Sequence, residues 1–412
     1  MSELKNTNEI RNNLTDIEVE FNGMSFEANI RKSYLASFFR GVHFISGVLL
    51  PFFLGWGKLT FVEVMLLQSY FTIMIVLLEI PCGAISDYIS RKFSLFLGAL
   101  AMALAALVYS SLPNISLFII GETLFALGFA LVSGSDEALI FDTLRKMDRE
   151  NEMPKIMAIN RSFFLAGIGI SAPIGSIIPL FYPLQYSMTF MFFPFIIAAL
   201  ISLSLREPNH DLERESSNYL SIVQSGFREL KKNKTLRILA FDFVLVDVLV
   251  FLLIWTYQLY LDALSVPIVY FGFVAASMTL TQIIFFNLIP KLQRRFKNKK
   301  LFLTIYTLIP GIAYILIAIT LFTPIGIALI LIIIGVGFSR NIIFIGEINK
   351  KIEEENRATV LSTISMIRSF IITILYPIIG LLAMWNLNYT FMILGISIIL
   401  VVIISRVKNE HL

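Results

Sequence analysis

The chain has 412 residues, of which 57% are hydrophobic and only 15% charged, with a formal net charge of +4 and a mean hydropathy of +0.80. A soluble domain carries about 25% charged residues, and a soluble fold of this length has too little interior to hide so much apolar surface. The small basic excess lies in short loops, where it orients helices against a bilayer, so nucleic acid is excluded as a partner. The single cysteine, Cys82, excludes an intrachain disulfide and a Cys-based metal cluster, and no cofactor is expected.

Residues 1–33 are polar and mixed in charge, with no apolar run before a small-residue cleavage site, so they read as a cytoplasmic tail rather than a secretory signal. Apolar runs then follow at about 34–54, 61–82, 93–112, 115–138, 157–180 and 184–205. After a polar linker, 206–235, a second set covers about 236–260, 268–290, 300–321, 324–348, 358–382 and 386–405, with a short tail at 406–412. The runs are continuously apolar and lack ten-residue alternation, which favours helices over a barrel. The expected fold class is an all-α membrane protein with twelve transmembrane helices in two six-helix halves, 34–205 and 236–405.

Charge in the connections sets the orientation. Even-numbered connections carry the cations, among them Arg91 and Lys92, Arg145 to Lys155, Lys291 to Lys300, and Lys350, Lys351 and Arg357. The odd-numbered ones, such as Pro113-Asn114 and Thr323-Pro324, carry none apart from Lys58. By the positive-inside rule both termini are cytoplasmic. The linker holds a Lys/Arg-rich stretch, Arg228 to Lys234, expected to be a solvated amphipathic helix or a contact for lipid headgroups. The halves also resemble each other at an offset of about 205 residues, Ser135-Asp136 matching Ser339-Arg340 and Arg161-Ser162-Phe163 matching Arg368-Ser369-Phe370.

After the second run comes Gly83-Ala84-Ile85-Ser86-Asp87-Tyr88-Ile89-Ser90-Arg91-Lys92. This resembles the loop motif of the major facilitator superfamily, Gly-x-x-x-Asp-x-x-Gly-Arg-Lys, at Gly83, Asp87, Arg91 and Lys92. Tyr88 replaces the usual basic residue and Ser90 the second glycine. Physically, glycine permits close helix approach or a tight turn, and a carboxylate suits a helix N-terminus. The resemblance implies two rocking halves. It also implies that Asp87 and Arg91 hold the outward-facing state against the start of span eleven and an acid near the end of span four, either Asp142 or Asp136. A second, partial resemblance is to the Gly-Pro-rich fifth span of proton-coupled exporters, through Gly167, Gly169, Pro173 and Gly175. Helix packing explains the same residues equally well.

Ionisable groups inside a bilayer are costly and are functional candidates by default. Asp247 and Arg368 fall nearest the expected midplane, and with Asp242, Arg40 and His43 they form the expected coupling and substrate cavity. Burial favours the protonated form of a carboxylate and a nearby arginine the ionised form, so an acid–arginine pair of this kind can switch. His43 is also a candidate for an ordinary core histidine. Asp242 and Asp247 are five residues apart, about 140° round a helix, so they do not face one cavity together. Near the cytoplasmic rim, Glu79, Asp136, Glu137, Arg161 and Arg340 read as a charge network or gate, for instance Asp136 with Arg40 or Arg161. Glu122 lies about 21 Å from Asp136 along a helix and belongs to a different site.

The resulting expectation is a monomeric secondary transporter of the inner or plasma membrane, not an enzyme, using protons to export amphipathic or cationic small molecules. Proton-coupled uptake of a small polar solute is the alternative, and would want a cavity rich in Asn, Gln and Tyr. A non-transporting sensor or scaffold with the same fold is a third reading.

Overall fold

The computed structural model describes residues 26–208, 219–352 and 356–412. The side chains of residues 87, 88, 219–224 and 358 lie outside that description. The first part of the chain forms α1 (residues 26–41), α2 (Phe61–Tyr88), α3 (Arg91–Ser111), α4 (Ile115–Val132), α5 (Ser135–Arg145), α6 (Met153–Ile177), α7 (Tyr186–Thr189) and α8 (Phe192–Leu203). The linker contains α9 (Tyr219–Lys232). There follow α10 (Lys234–Phe251), α11 (Leu253–Ala263), α12 (Phe271–Arg295), α13 (Lys299–Ile319), α14 (Thr323–Lys350), α15 (Arg357–Trp385) and α16 (Leu387–Ile404). Among the described residues, eleven helical segments are long and apolar enough to cross a membrane, with α4–α5, α7–α8 and α10–α11 each acting as one.

Short polar residues set the helix starts where hydropathy alone leaves them vague. Thr60 and Glu63 form a reciprocal capping box at α2, and Asn114, Asn233, Asn298 and Asn386 each accept a backbone N–H at the start of α4, α10, α13 and α16. These caps satisfy helix-end donors that would otherwise go unpaired. Gly134 divides α4 from α5 because it takes a φ of 75°, a conformation open to glycine and strained for other residues.

The first apolar run departs from expectation. Its helix already runs from residue 26, where the described residues start, inside the segment read as a tail, and polar residues there have partners in the fold. Asn29 accepts the Arg206 backbone N–H at 2.9 Å and Lys32 donates to the Ser204 carbonyl at 2.7 Å. Arg149 ties Glu27 to Glu152, at 2.6 Å and 2.7 Å, and the hydrogen bonds it donates to Glu152 and Glu27 raise the pKa of its guanidinium. Beyond α1 the run breaks at Val42-His43, continues as a 3-10 turn over Phe44–Gly47, and ends in a π-type turn over Pro51–Trp56.

The break lets this segment lie backbone to backbone on α6. A Cβ on Gly167 would stand 2.3 Å from the Phe38 carbonyl oxygen, and one on Gly175 would stand 1.6 Å from that of Phe44. Ala172 closes in the same way on Gly47. The glycines of the fifth apolar run therefore serve helix packing here, while Gly169 has only ordinary contacts. Gly175→Ala is expected to push the two backbones apart and cost about 1–3 kcal/mol, as overpacking does. Thermal unfolding in detergent checks this, and an unchanged melting temperature would contradict the contact.

Hydrogen bonds between residues 26–205 and 234–404 cluster toward the uncharged connections. Ser69 donates to the Thr373 carbonyl at 2.9 Å and Ser176 to that of Val269 at 2.8 Å. Gln258 of α11 accepts the Leu50 N–H and donates to the Ser46 carbonyl. Toward the basic connections, Gly83 of α2 has open space where a side chain would stand, and Arg161 of α6 is exposed.

Candidate functional site

Asp247 is 2% exposed near the C-terminal end of α10, at the middle of the span that α10 and α11 form together. Its carboxylate accepts Arg368 Nε of α15 at 2.5 Å and is hydrogen-bonded by the Asn341 amide of α14. Arg368 also stands over the Phe251 ring, 4.8 Å from its centre. The two partners differ in access: the Arg368 side chain is 28% exposed, whereas Asn341 keeps a buried carbonyl oxygen with no hydrogen-bond partner among the described residues. Three helices thus converge on one carboxylate, with a movable cation on one side and an unspent acceptor on the other. The expected pairing of Asp247 with Arg368 is present, and Asn341 is a member that depth in the sequence did not mark.

Asp242 belongs elsewhere. It pairs with Arg340 of α14, which is 1% exposed and further held by the Asp242 carbonyl at 3.2 Å, Thr307 at 2.9 Å and the Phe344 ring at 4.1 Å. This agrees with the 140° separation and moves Asp242 out of the cavity group. Arg40 likewise leaves that group: it binds Asp136 at 2.6 Å and Ser37 at 2.9 Å, with Asn160 donating to the same carboxylate. The two pairs mirror each other with reversed polarity. The cation sits in α1 and the acid in α5 in one, while the acid sits in α10 and the cation in α14 in the other.

His43 lies edge-on between Phe164 and Phe195, and its backbone N–H donates to Ser171, so its surroundings are those of a packed aromatic. Of the expected rim network, only Asp136 and Arg340 join ion pairs among the described residues. Glu137 is exposed, Glu79 half-buried, and Arg161 stacks on Phe164 at 5.0 Å. Their helices turn these side chains away from the pairs, which spacing along the chain does not reveal.

Glu122 is a buried acid that the sequence marks only by depth. It is 4% exposed in α4, accepts Gln68 Nε2 of α2 at 2.8 Å, and has the Tyr109 hydroxyl beside it. No cation lies within ion-pair reach of it among the described residues.

At the basic end, Ser90 caps α3 by accepting the Phe93 N–H at 3.1 Å. The Ser90 hydroxyl and the Arg91 N–H both bind the Glu207 carboxylate, an anion at a helix N-terminus. The Arg91 side chain is 1% exposed, pairs with Asp142 of α5 and donates to the Ala138 carbonyl at 2.8 Å. Of the two acids considered, Asp142 is the one that pairs with Arg91, while Asp136 pairs with Arg40. Lys92 is half-buried in the same turn.

A profile of the Major Facilitator Superfamily matches residues 34–374. The chain belongs to this superfamily. Solved structures agree in fold. The nucleoside transporter NupG superposes with a TM-score of 0.71 at 14% identity, covering 93% of this chain and 97% of that one. A D-xylose-proton symporter gives 0.74 at 11%, covering 93% and 98%. A bacterial homolog of the human lysosomal transporter Spinster, inward-facing and occupied, gives 0.69 at 16%, covering 93% and 94%. No curated protein sequence matches the chain. It is a multi-pass membrane protein with a transporter fold.

The superfamily motif is therefore real, and its local geometry differs from expectation in two places. Gly83 lies inside α2 with nothing near it, so it makes neither a close approach nor a turn in this state. Ser90, where the superfamily has glycine, is extended at φ −177° and works as a cap. The Asp87 side chain and residues 353–355, which precede α15 in the chain, lie outside the described residues.

Proposed function

We propose that the protein is a proton-coupled secondary transporter that works as a monomer by alternating access and exports amphipathic or cationic small molecules. In this reading residues 26–57 form a twelfth span, broken at Val42-His43. Two six-helix halves, joined by the linker, then share cytoplasmic termini in the inner or plasma membrane. The inter-half hydrogen bonds gathered near the uncharged connections fit a state open toward the basic, cytoplasmic end.

The observation that carries the reading is Asp247, buried and held by a partly exposed Arg368. Protonation would discharge the carboxylate and release the guanidinium. A cationic substrate and a proton would then compete for one carboxylate, which is the reciprocal linkage an exchanger needs. Glu122, buried with no cation in ion-pair reach among the described residues, is a second acid inside the spans.

Uptake of a polar solute fits less well, because three of the amides already bind groups of the protein. Gln258 bridges the two halves, Gln68 serves Glu122, and Asn160 serves Asp136.

Proteoliposomes with an imposed pH gradient test the proposal. Labelled cationic dyes are expected to accumulate and to redistribute when the gradient is collapsed. Movement of sugars or nucleosides in place of dyes would overturn the substrate class. Failure of every solute to move would favour a sensor or scaffold.

A further inference from the structure

The linker helix α9 lies along the basic ends of α10 and α15. Gly226 sits tightly against Thr363 and the Thr359 carbonyl, an approach that only a residue without a side chain allows. Between the three helices is a cavity of about 200 Å³ whose walls include Leu230, Val244, Ile364 and Ile367. Lys231 and Arg237 also line it, and both are exposed. Phe227 and Phe241, 39% and 62% exposed, flank the same cavity. Residues 225–237 carry five cations, Arg228, Lys231, Lys232, Lys234 and Arg237, against the single acid Glu229.

We propose that this cavity is a binding site for an anionic phospholipid, one acyl chain filling the apolar slot and the phosphodiester pairing with Lys231 and Arg237. The depth fits. Arg237 to Val244 and Ile364 to Ile371 each span seven residues, about 10 Å along a helix, so the slot runs from headgroup level into hydrocarbon. A basic amphipathic helix lying in the interface supplies the surface for such a lipid. A soluble anion would satisfy the cations and leave the apolar walls without a partner, so the chain and the charge together select a lipid.

The site also touches the transport helix. Ile364, Ile367 and Ile371 recur at i, i+3 and i+7 on α15, and Arg368 follows directly in the chain. A lipid bound there contacts the helix that carries the Asp247 partner.

The test is intact-mass measurement of the delipidated full-length protein in detergent, titrated with phosphatidylglycerol and, separately, with phosphatidylcholine. Each basic residue near a membrane surface contributes about 1 kcal/mol toward anionic lipid, so with Lys231 and Arg237 together phosphatidylglycerol is expected to bind about thirtyfold more tightly. That preference is expected to vanish in the surface double variant Lys231→Gln/Arg237→Gln, while Ala240→Phe, which narrows the cavity, weakens both lipids alike. Equal affinities in the unaltered protein would overturn the proposal, as would a preference that survives the double variant. Displacement of phosphatidylglycerol by millimolar inorganic phosphate would assign the cations to a free anion and overturn it too.

Discussion

Replacing Asp247 with asparagine is expected to abolish the response of transport to a pH gradient while leaving downhill movement of the dye intact. One pH unit is worth about 1.4 kcal/mol per proton, or about a tenfold concentration ratio. Gradient-driven accumulation in proteoliposomes should therefore fall from about tenfold for a one-proton exchange to unity. The fold should survive, because asparagine is nearly isosteric: its carbonyl oxygen can still accept from Arg368 Nε, and its NH2 can donate to the Asn341 carbonyl once that amide flips. The freed charge is also tolerable: the Arg368 side chain is 28% exposed, so its guanidinium is not stranded in a dry interior. Glu122→Gln provides the discriminating control. It keeps an acceptor for Gln68 and removes the buried acid that has no ion pair among the described residues. Full coupling in the Asp247 variant together with its loss in the Glu122 variant would transfer the proton to Glu122, and a normal pH response in both would sink the coupling scheme.

How much of this was legible beforehand differs by the kind of information needed. Continuous apolar runs locate α2 to α16 well, since spanning a bilayer constrains length and composition directly. The break in the first run was not legible. Gly41, Gly47 and Pro51 permit a bend, but it is fixed by contact with Gly167, Ala172 and Gly175 a hundred residues later. Depth along the run was enough to single out Asp247 and Arg368, and helical periodicity was enough to separate Asp242 from Asp247. Partner choice was another matter. Whether Arg91 meets Asp136 or Asp142 depends on the rotation of α5 after Gly134, and Glu207 was hidden because it acts through a backbone N–H on a distant helix. Polar partners of this kind are set by helix rotation and crossing, which one chain read alone does not encode in its spacing.

The same logic gives the largest stability effect to Asp242. Arg340 is 1% exposed, and Asp242 supplies both its carboxylate and its carbonyl partner. Asp242→Ala removes the acid and leaves a guanidinium buried with only neutral partners, the backbone carbonyl of residue 242, Thr307 and the Phe344 ring, an uncompensated charge that costs about 3–5 kcal/mol. Denaturant unfolding in mixed micelles should show that loss. The mirror variant Asp136→Ala should cost less: the Asp136 side chain is 16% exposed, and Arg40 keeps its bond to Ser37. Removing both partners separates the two contributions. Taking a buried pair out of a core is often close to neutral, because the desolvation cost of both charges disappears with their attraction. Asp242→Ala/Arg340→Met is therefore expected to be more stable than Asp242→Ala alone. A double variant weaker than the single one would mean that Arg340 packs the interface through its stem and ring contact, and that the ion pair is incidental to holding α10 against α14.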